Sequence, residues 1–221
     1  MCGRFTLTSD LRALELRFNF RGADLDYTPR YNVAPTQEAL TVVRDGENRA
    51  EYMRWGLVPF WAKDPAIGSR MINARAEGIA EKPAFRNAFK KRRCLILADG
   101  FYEWRKEGKT KTPMRIVLKS REPFAFAGLW ESWKAPDGES LHSCTIATTT
   151  PNELIASIHN RMPVILSEEA ERIWLDPEQH DAGVLNDVLI PFPAGSMEAY
   201  QVSDTMNSAR NDTPECVQPV P

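Results

Sequence analysis

The most apolar strand in the chain is Cys94-Leu95-Ile96-Leu97-Ala98, a run that has to be enclosed by other structure. Asp99-Gly100 behind it reads as a turn or bulge, and Phe101-Tyr102-Glu103-Trp104 resumes the extended pattern. The rest of the chain is built alike, from short β-like segments with turn signals between them. Gly3 to Thr8 alternates and carries Phe5 and Leu7. Ala39 to Arg44 ends at Asp45-Gly46, which predicts a hairpin with Arg49 to Trp55. Met114 to Lys119, Phe124 to Leu129 and Ser143 to Thr149 complete a strand-rich middle, with Pro136-Asp137-Gly138 turning between the last two. Pro163 to Leu166 and Ala199 to Ser203 predict further strands.

Helical signals are short. Ser9 predicts the cap of a helix over Asp10 to Phe18, with Leu11, Leu14 and Phe18 on one face. Ala84 to Lys91 reads as a short basic helix. Thr150-Pro151-Asn152-Glu153 has the form of a capping box, and its helix runs only to about Ile158 because the chain must leave the helix before Pro163. Ser167 predicts a helix through Trp174, and Asp181 to Leu189 a helix or turn. Pro214 to Pro221 reads as an extended, poorly ordered tail. No repeat or linker divides the chain, so the expectation is one α+β domain over residues 1–213 with a tail over 214–221.

No apolar run is long enough for a membrane span and no secretory pattern opens the chain, which predicts a cytoplasmic protein. Cys2, Cys94, Cys144 and Cys216 form no C-x-x-C pair, and His142, His159 and His180 add no ligand spacing. Reduced thiols are expected, with no metal and no cofactor. The net charge of −2 conceals an asymmetry: Lys82 to Arg121 holds thirteen Lys or Arg against Asp99, Glu103 and Glu107, leaving −12 for the remainder. A field of that sign suits a polyanion, and it equally suits solvated strand faces, with Lys109 and Lys111 in a turn.

Four places carry possible chemistry. Met1 before the small Cys2 is the context in which the initiator is usually trimmed, which would put a free amine and a thiol on one residue. The two have reference pKa values of about 8 and about 8.5. An amine condenses with an aldehyde to an imine, and a thiol two carbons away can close on it as a thiazolidine. The alternative is a small buried residue entering the first strand. Glu103, if enclosed among aromatic rings, would have a raised pKa suited to proton transfer. His159 ends a helix, where the dipole favours the imidazolium or the ring merely caps. In Trp55-Gly56-Leu57-Val58-Pro59-Phe60-Trp61, Phe60 or Trp61 either joins the core or stacks on a base.

Six motifs stand in order: Met1-Cys2-Gly3-Arg4-Phe5, Tyr31-Asn32-Val33-Ala34-Pro35, Trp55-Gly56-Leu57-Val58-Pro59, Ile72-Asn73-Ala74-Arg75-Ala76-Glu77, Ala98-Asp99-Gly100-Phe101-Tyr102-Glu103-Trp104 and His159-Asn160-Arg161-Met162-Pro163. Together they resemble the SRAP family from Met1 to about Asp212. The resemblance implies a curved antiparallel barrel-like sheet flanked by short helices, with a single-strand DNA channel beside the mature N-terminus. It implies capture of the ring-opened aldehyde of an abasic site as a thiazolidine crosslink that shields the lesion. Cys2 would supply amine and thiol, Asn73 would orient Cys2 or the sugar, Glu103 would move protons and His159 would assist ring opening. Arg4, Arg75 and Arg161 would meet phosphates and Trp61 would stack nearby, with Asn32 and Thr148 also on the DNA-binding side. The resemblance further implies a monomer, nucleoid-associated when on DNA, with lyase and Met1-removing peptidase activities to be considered.

Two rivals from other classes are an N-terminal-nucleophile amidohydrolase and a non-covalent single-strand binding module. The first normally has an Asn-Gly for its oxyanion hole, and this chain has no such dipeptide. The second differs from the covalent reading only in whether Cys2 reacts.

Overall fold

The computed structural model describes residues 2–220. In chain order the strands and helices are β1 (Phe5–Leu7), α1 (Leu11–Phe18), β2 (Arg30–Val33), β3 (Glu38–Asp45), β4 (Glu47–Trp55), β5 (Asn73–Arg75), α2 (Arg86–Lys91), β6 (Arg93–Ala98), β7 (Gly100–Glu107), β8 (Thr110–Leu118), β9 (Phe124–Lys134), β10 (Ser140–Thr149), α3 (Glu153–Ala156), β11 (Met162–Pro163), β12 (Ile165–Leu166), α4 (Glu168–Leu175), α5 (Ala182–Asp187) and β13 (Met197–Gln201). No helix among the described residues is long and apolar enough to cross a membrane.

Five strands close into a barrel: β4 pairs β3, β3 pairs β6, β6 pairs β9, β9 pairs β10, and β10 returns to β4. The predicted antiparallel, barrel-like sheet is present except along one side of β10, which pairs in parallel with both β4 (Cys144 opposite Trp55) and β5. The parallel β4–β10 pairing is possible because β4 and β10 are joined by a long crossover rather than a hairpin. Short β5 pairs further along β10, with Ile146 opposite Asn73, so residues 56–72 bulge out between two contacts with one strand. A second sheet, in the order β13-β8-β7-β1-β2, lies against the barrel. Phe5 meets Trp55 at 5.1 Å and Phe126 at 5.8 Å between ring centroids.

The apolar run that dominates the sequence is β6, and all six of its residues are buried. Cys94, Ile96 and Ala98 belong to the core shared with the second sheet, whereas Leu95 and Leu97 face the helical side with Trp174 and Phe89. Gly128 of β9 packs directly on the first face: a Cβ there would lie 2.7 Å from Cys94 Sγ and 2.9 Å from Ile96 Cγ1. Gly128→Ala is therefore expected to destabilise the fold by about 1–3 kcal/mol through overpacking. Urea unfolding at unchanged m-value reads this, and an unshifted midpoint would contradict it.

The structure corrects several local expectations. Asp10, not Ser9, caps α1, accepting from Ala13 N–H at 2.9 Å, because Ser9 is engaged by Asp99. Asn152, not Thr150, caps α3, accepting from Ile155 N–H at 2.9 Å, and the helix ends at Ala156. Lys111 lies in β8 opposite Lys106 rather than in the turn. The supposed tail turns through a 3-10 helix at Pro214–Val217, buries Cys216, and bridges Pro219 to Val202. Cys216 packs with Tyr102, Val202 and Met206, which is why this segment is folded rather than extended.

Candidate active site

Strand β1 sits between β2 and β7, with Phe5 opposite Phe101 and Thr6 opposite Gly100. Tyr102 N–H donates to the Arg4 carbonyl at 2.9 Å. Continuing that register sets Glu103 across from Gly3, immediately beside Cys2. Asp99, 7% exposed, clamps the other end of β1. Its carboxylate accepts from Thr6 Oγ1 at 2.6 Å, Thr8 Oγ1 at 2.8 Å and Ser9 N–H at 2.8 Å, with Arg115 Nη2 at 3.3 Å behind it. The supposed turn residue thus fixes where Cys2 falls.

Cys2 is fully buried, packed with the core shared by the two sheets. Its carbonyl accepts from Asn73 Nδ2 at 2.8 Å. Asn73 Oδ1 is buried without a hydrogen-bond partner among the described residues. Burial first, and the nearby Glu103 carboxylate second, push the Cys2 thiol well above its ordinary range. Glu103 is 2% exposed, and burial raises its carboxyl above the usual carboxylate range while the His159 imidazole pulls the other way. The two rivals for Cys2, small buried residue and reactive group, are therefore not exclusive: it is buried, and it is buried against a carboxylate.

His159 follows α3, its N–H donating to the Ile155 carbonyl at 2.8 Å. Arg161 N–H donates to His159 Nδ1 at 3.0 Å, and the Arg161 carbonyl lies 3.2 Å from the same nitrogen. Neutral imidazole can accept from the first and imidazolium can donate to the second, so this loop holds the ring in either protonation state. His159 and Glu103 line an open cleft of about 460 Å3 with Trp104, Lys106, Lys111 and Asn207. Trp104 Nε1 donates to Asn207 Oδ1 at 2.8 Å.

The six expected DNA contacts divide. Asn32 and Thr148 are fully buried, and each meets an arginine rather than the open surface. Asn32 Oδ1 accepts from Arg4 Nη1 at 2.8 Å, and its Nδ2 lies 3.0 Å from the Met206 carbonyl and 2.6 Å from that of Asn211. Thr148 offers its carbonyl to Arg161 Nη2 at 2.6 Å, while Arg161 also makes a two-pronged pair with Glu77 at 2.6 and 2.9 Å. Both residues position an arginine. Arg75 is exposed and Trp61 is half exposed, in a separate cleft with Lys63 and Arg70.

The basic segment is likewise not one patch. Arg93 is buried, donating to the carbonyls of Trp174 and Asp176 at 2.6 Å each. Arg115 meets Asp99, and Arg92 Nε donates to Glu131 at 2.6 Å. Lys106 and Lys111 do reach the cleft, and the reading of Lys111 as a turn residue concealed them. Among the described residues no group of three His, Cys, Asp or Glu side chains is placed to hold a metal ion.

Comparison with known proteins agrees with this arrangement. The family described as SOS response associated peptidase (SRAP) matches residues 1–209. The chain is 52% identical over 222 residues to the abasic site processing protein YoqW of Bacillus subtilis, covering 99% of each. It is 31% identical to the abasic site processing protein HMCES of Xenopus tropicalis, covering 90% of this chain and 69% of that one. Among solved structures, one of a Bacteroides thetaiotaomicron protein superposes with TM-score 0.89 at 29% identity, covering 99% of this chain and 100% of that one.

Proposed function

The chain belongs to the SRAP family, and from that premise we propose that it recognises abasic sites in single-stranded DNA and captures them covalently through Cys2. Hydrolysis of the Met1–Cys2 bond frees the α-amine. The amine adds to the aldehyde of the ring-opened sugar, water leaves, and an imine forms. The Cys2 sulfur then bonds to the imine carbon, its proton passing to the ring nitrogen, and a thiazolidine results with no oxidant or reductant needed.

The observation that carries this reading is the convergence of Cys2, Asn73, Glu103 and His159 on one end of β1. A carboxyl held above its usual range accepts the amine proton and returns it without remaining locked as a carboxylate. Asn73 Oδ1 offers an acceptor to the freed amine or to a sugar hydroxyl. His159 exchanges a proton at Nε2 with the sugar as its ring opens. We assign DNA affinity to Arg75, Trp61, Lys106 and Lys111, with Arg4 and Arg161 shaping the wall. The site is single-chain, and the setting we assign is cytoplasmic.

Intact-mass measurement tests the reading. Protein without Met1, mixed with an oligonucleotide carrying an abasic site, is expected to gain the oligonucleotide mass in a heat-stable form. Recovery of unmodified protein would overturn it. A chain with an uncleaved extension ahead of Cys2 is expected to show no adduct while keeping its salt-sensitive DNA affinity. Full adduct yield from the extended chain would exclude the amine.

A further inference from the structure

We propose that the cleft between Phe60 and the end of α2 is a second strand-binding subsite, in which an unpaired base stacks on Phe60 and flanking phosphates meet Lys90 and Lys91. The proposal rests on the single-strand DNA reading above and adds to it a contact away from the reacting nucleotide. Phe60 is 54% exposed, and with Trp61 it is one of two strongly exposed Phe or Trp rings among the described residues. It borders a cleft of about 430 Å3 whose other walls include Asn87, Lys90, Lys91 and Arg92.

The ring is held out rather than loosely placed. Val58 N–H donates to Ser143 Oγ at 2.8 Å, and Trp133 Nε1 donates to the Ala62 carbonyl at 2.7 Å, so both sides of Pro59–Trp61 are pinned to the barrel. Beneath the loop, the backbones of Gly56 and Gly68 are so close that a Cβ on Gly68 would lie 2.4 Å from the Gly56 carbonyl oxygen. A rigid loop presenting an aromatic face to solvent forgoes burial, and a base is a planar partner that restores it.

The charge around it selects the partner. Lys90 and Lys91 make no ion pair among the described residues, while the one carboxylate at the cleft, Glu131, is already taken by Arg92. The cleft therefore offers two uncommitted cations beside an exposed ring, a combination suited to a nucleotide rather than to an apolar or basic peptide. The loop is anchored at Ser143 and the lesion wall at Thr148, five residues apart on β10. That separation is about 17 Å at about 3.4 Å per residue, or roughly five nucleotides at about 3.4 Å each when stacked.

The test uses oligonucleotides with a non-reactive tetrahydrofuran abasic analogue and 2-aminopurine at single positions on either side of it. Wild type is expected to quench one position, or two adjacent ones, a few nucleotides from the lesion, and Phe60→Ala to lose that quenching while Phe60→Trp keeps it. Phe60→Ala should weaken binding of an oligonucleotide that reaches this position by roughly 5- to 150-fold and leave a shorter one unaffected. Lys90→Ala with Lys91→Ala should lower the salt slope by about 1.4. Crosslinking rate at saturating reactive DNA should be unchanged in these variants, so loss of the subsite is distinguishable from loss of the covalent reading. Equal quenching in Phe60→Ala at every position, or equal loss for long and short oligonucleotides, would overturn the proposal.

Discussion

Replacing Cys2 by alanine is expected to abolish the reductant-free, heat-stable adduct with abasic single-stranded DNA. The α-amine survives this change, so imine formation continues and borohydride should still trap it. What disappears is closure by sulfur, a step made intramolecular by placing both nucleophiles on one residue. Well-oriented intramolecular steps gain about 7–11 kcal/mol over bimolecular ones, too much for a neighbouring side chain to replace. Cys2→Ser should resemble Cys2→Ala at neutral pH, because a hydroxyl is a far weaker nucleophile than a thiol. A heat-stable adduct from Cys2→Ala without reductant would remove the thiazolidine from the mechanism.

Glu103→Gln and His159→Ala are each expected to slow single-turnover crosslinking by about 10²-fold or more, with affinity for the tetrahydrofuran analogue nearly intact. Equal losses of rate and affinity would mean that these residues hold structure instead. The pH profile gives an independent readout. Burial raises the Glu103 carboxyl above the usual range, so a rate that needs it as a base climbs with pH through that raised value, and Glu103→Gln should lack this limb. Stability has the opposite sign. A carboxyl with a raised folded-state value favours the protonated native state, so its contribution is present below the unfolded value of about 4.3 and is lost as pH rises through the folded one. Glu103→Gln is accordingly expected to raise the unfolding midpoint at neutral pH while lowering the rate, a pairing that a purely structural residue would not produce.

The parts of this site visible in the sequence were those whose chemistry is local. Cys2 after Met1, Glu103 among aromatic residues and His159 before Arg161-Met162-Pro163 each stood out within a few residues, and the order of motifs linked them. Strand β6 could be read for the same reason, since an unbroken apolar run has few alternatives. What escaped depended on distant partners. Asp99 looked like a turn residue because nothing nearby reveals that Thr6, Thr8 and Ser9 converge on it. Ser9 was a plausible helix cap until that carboxylate claimed it. Asn32 lies in a motif of the DNA-binding family, yet it is enclosed by carbonyls from Met206 to Asn211, and only tertiary structure brings those to it. The Pro-rich end looked disordered from composition, but Cys216 fills a space under Tyr102.

The start of β1 and the segment from Met206 to Cys216 thus meet at one place. Arg4 Nη1 donates to the Met206 carbonyl at 2.8 Å, and the Tyr102 hydroxyl lies 3.1 Å from the Cys216 carbonyl. Translation at about 5–20 residues per second separates the emergence of Cys2 from that of residues 206–216 by about 10–40 seconds. On the proposed mechanism, a nascent chain that has lost Met1 early carries a free amine and thiol before the fold around Arg4 is complete, where a small aldehyde can reach them. On that mechanism, the timing of methionine removal relative to folding bears on whether a newly made molecule reaches DNA with Cys2 unreacted.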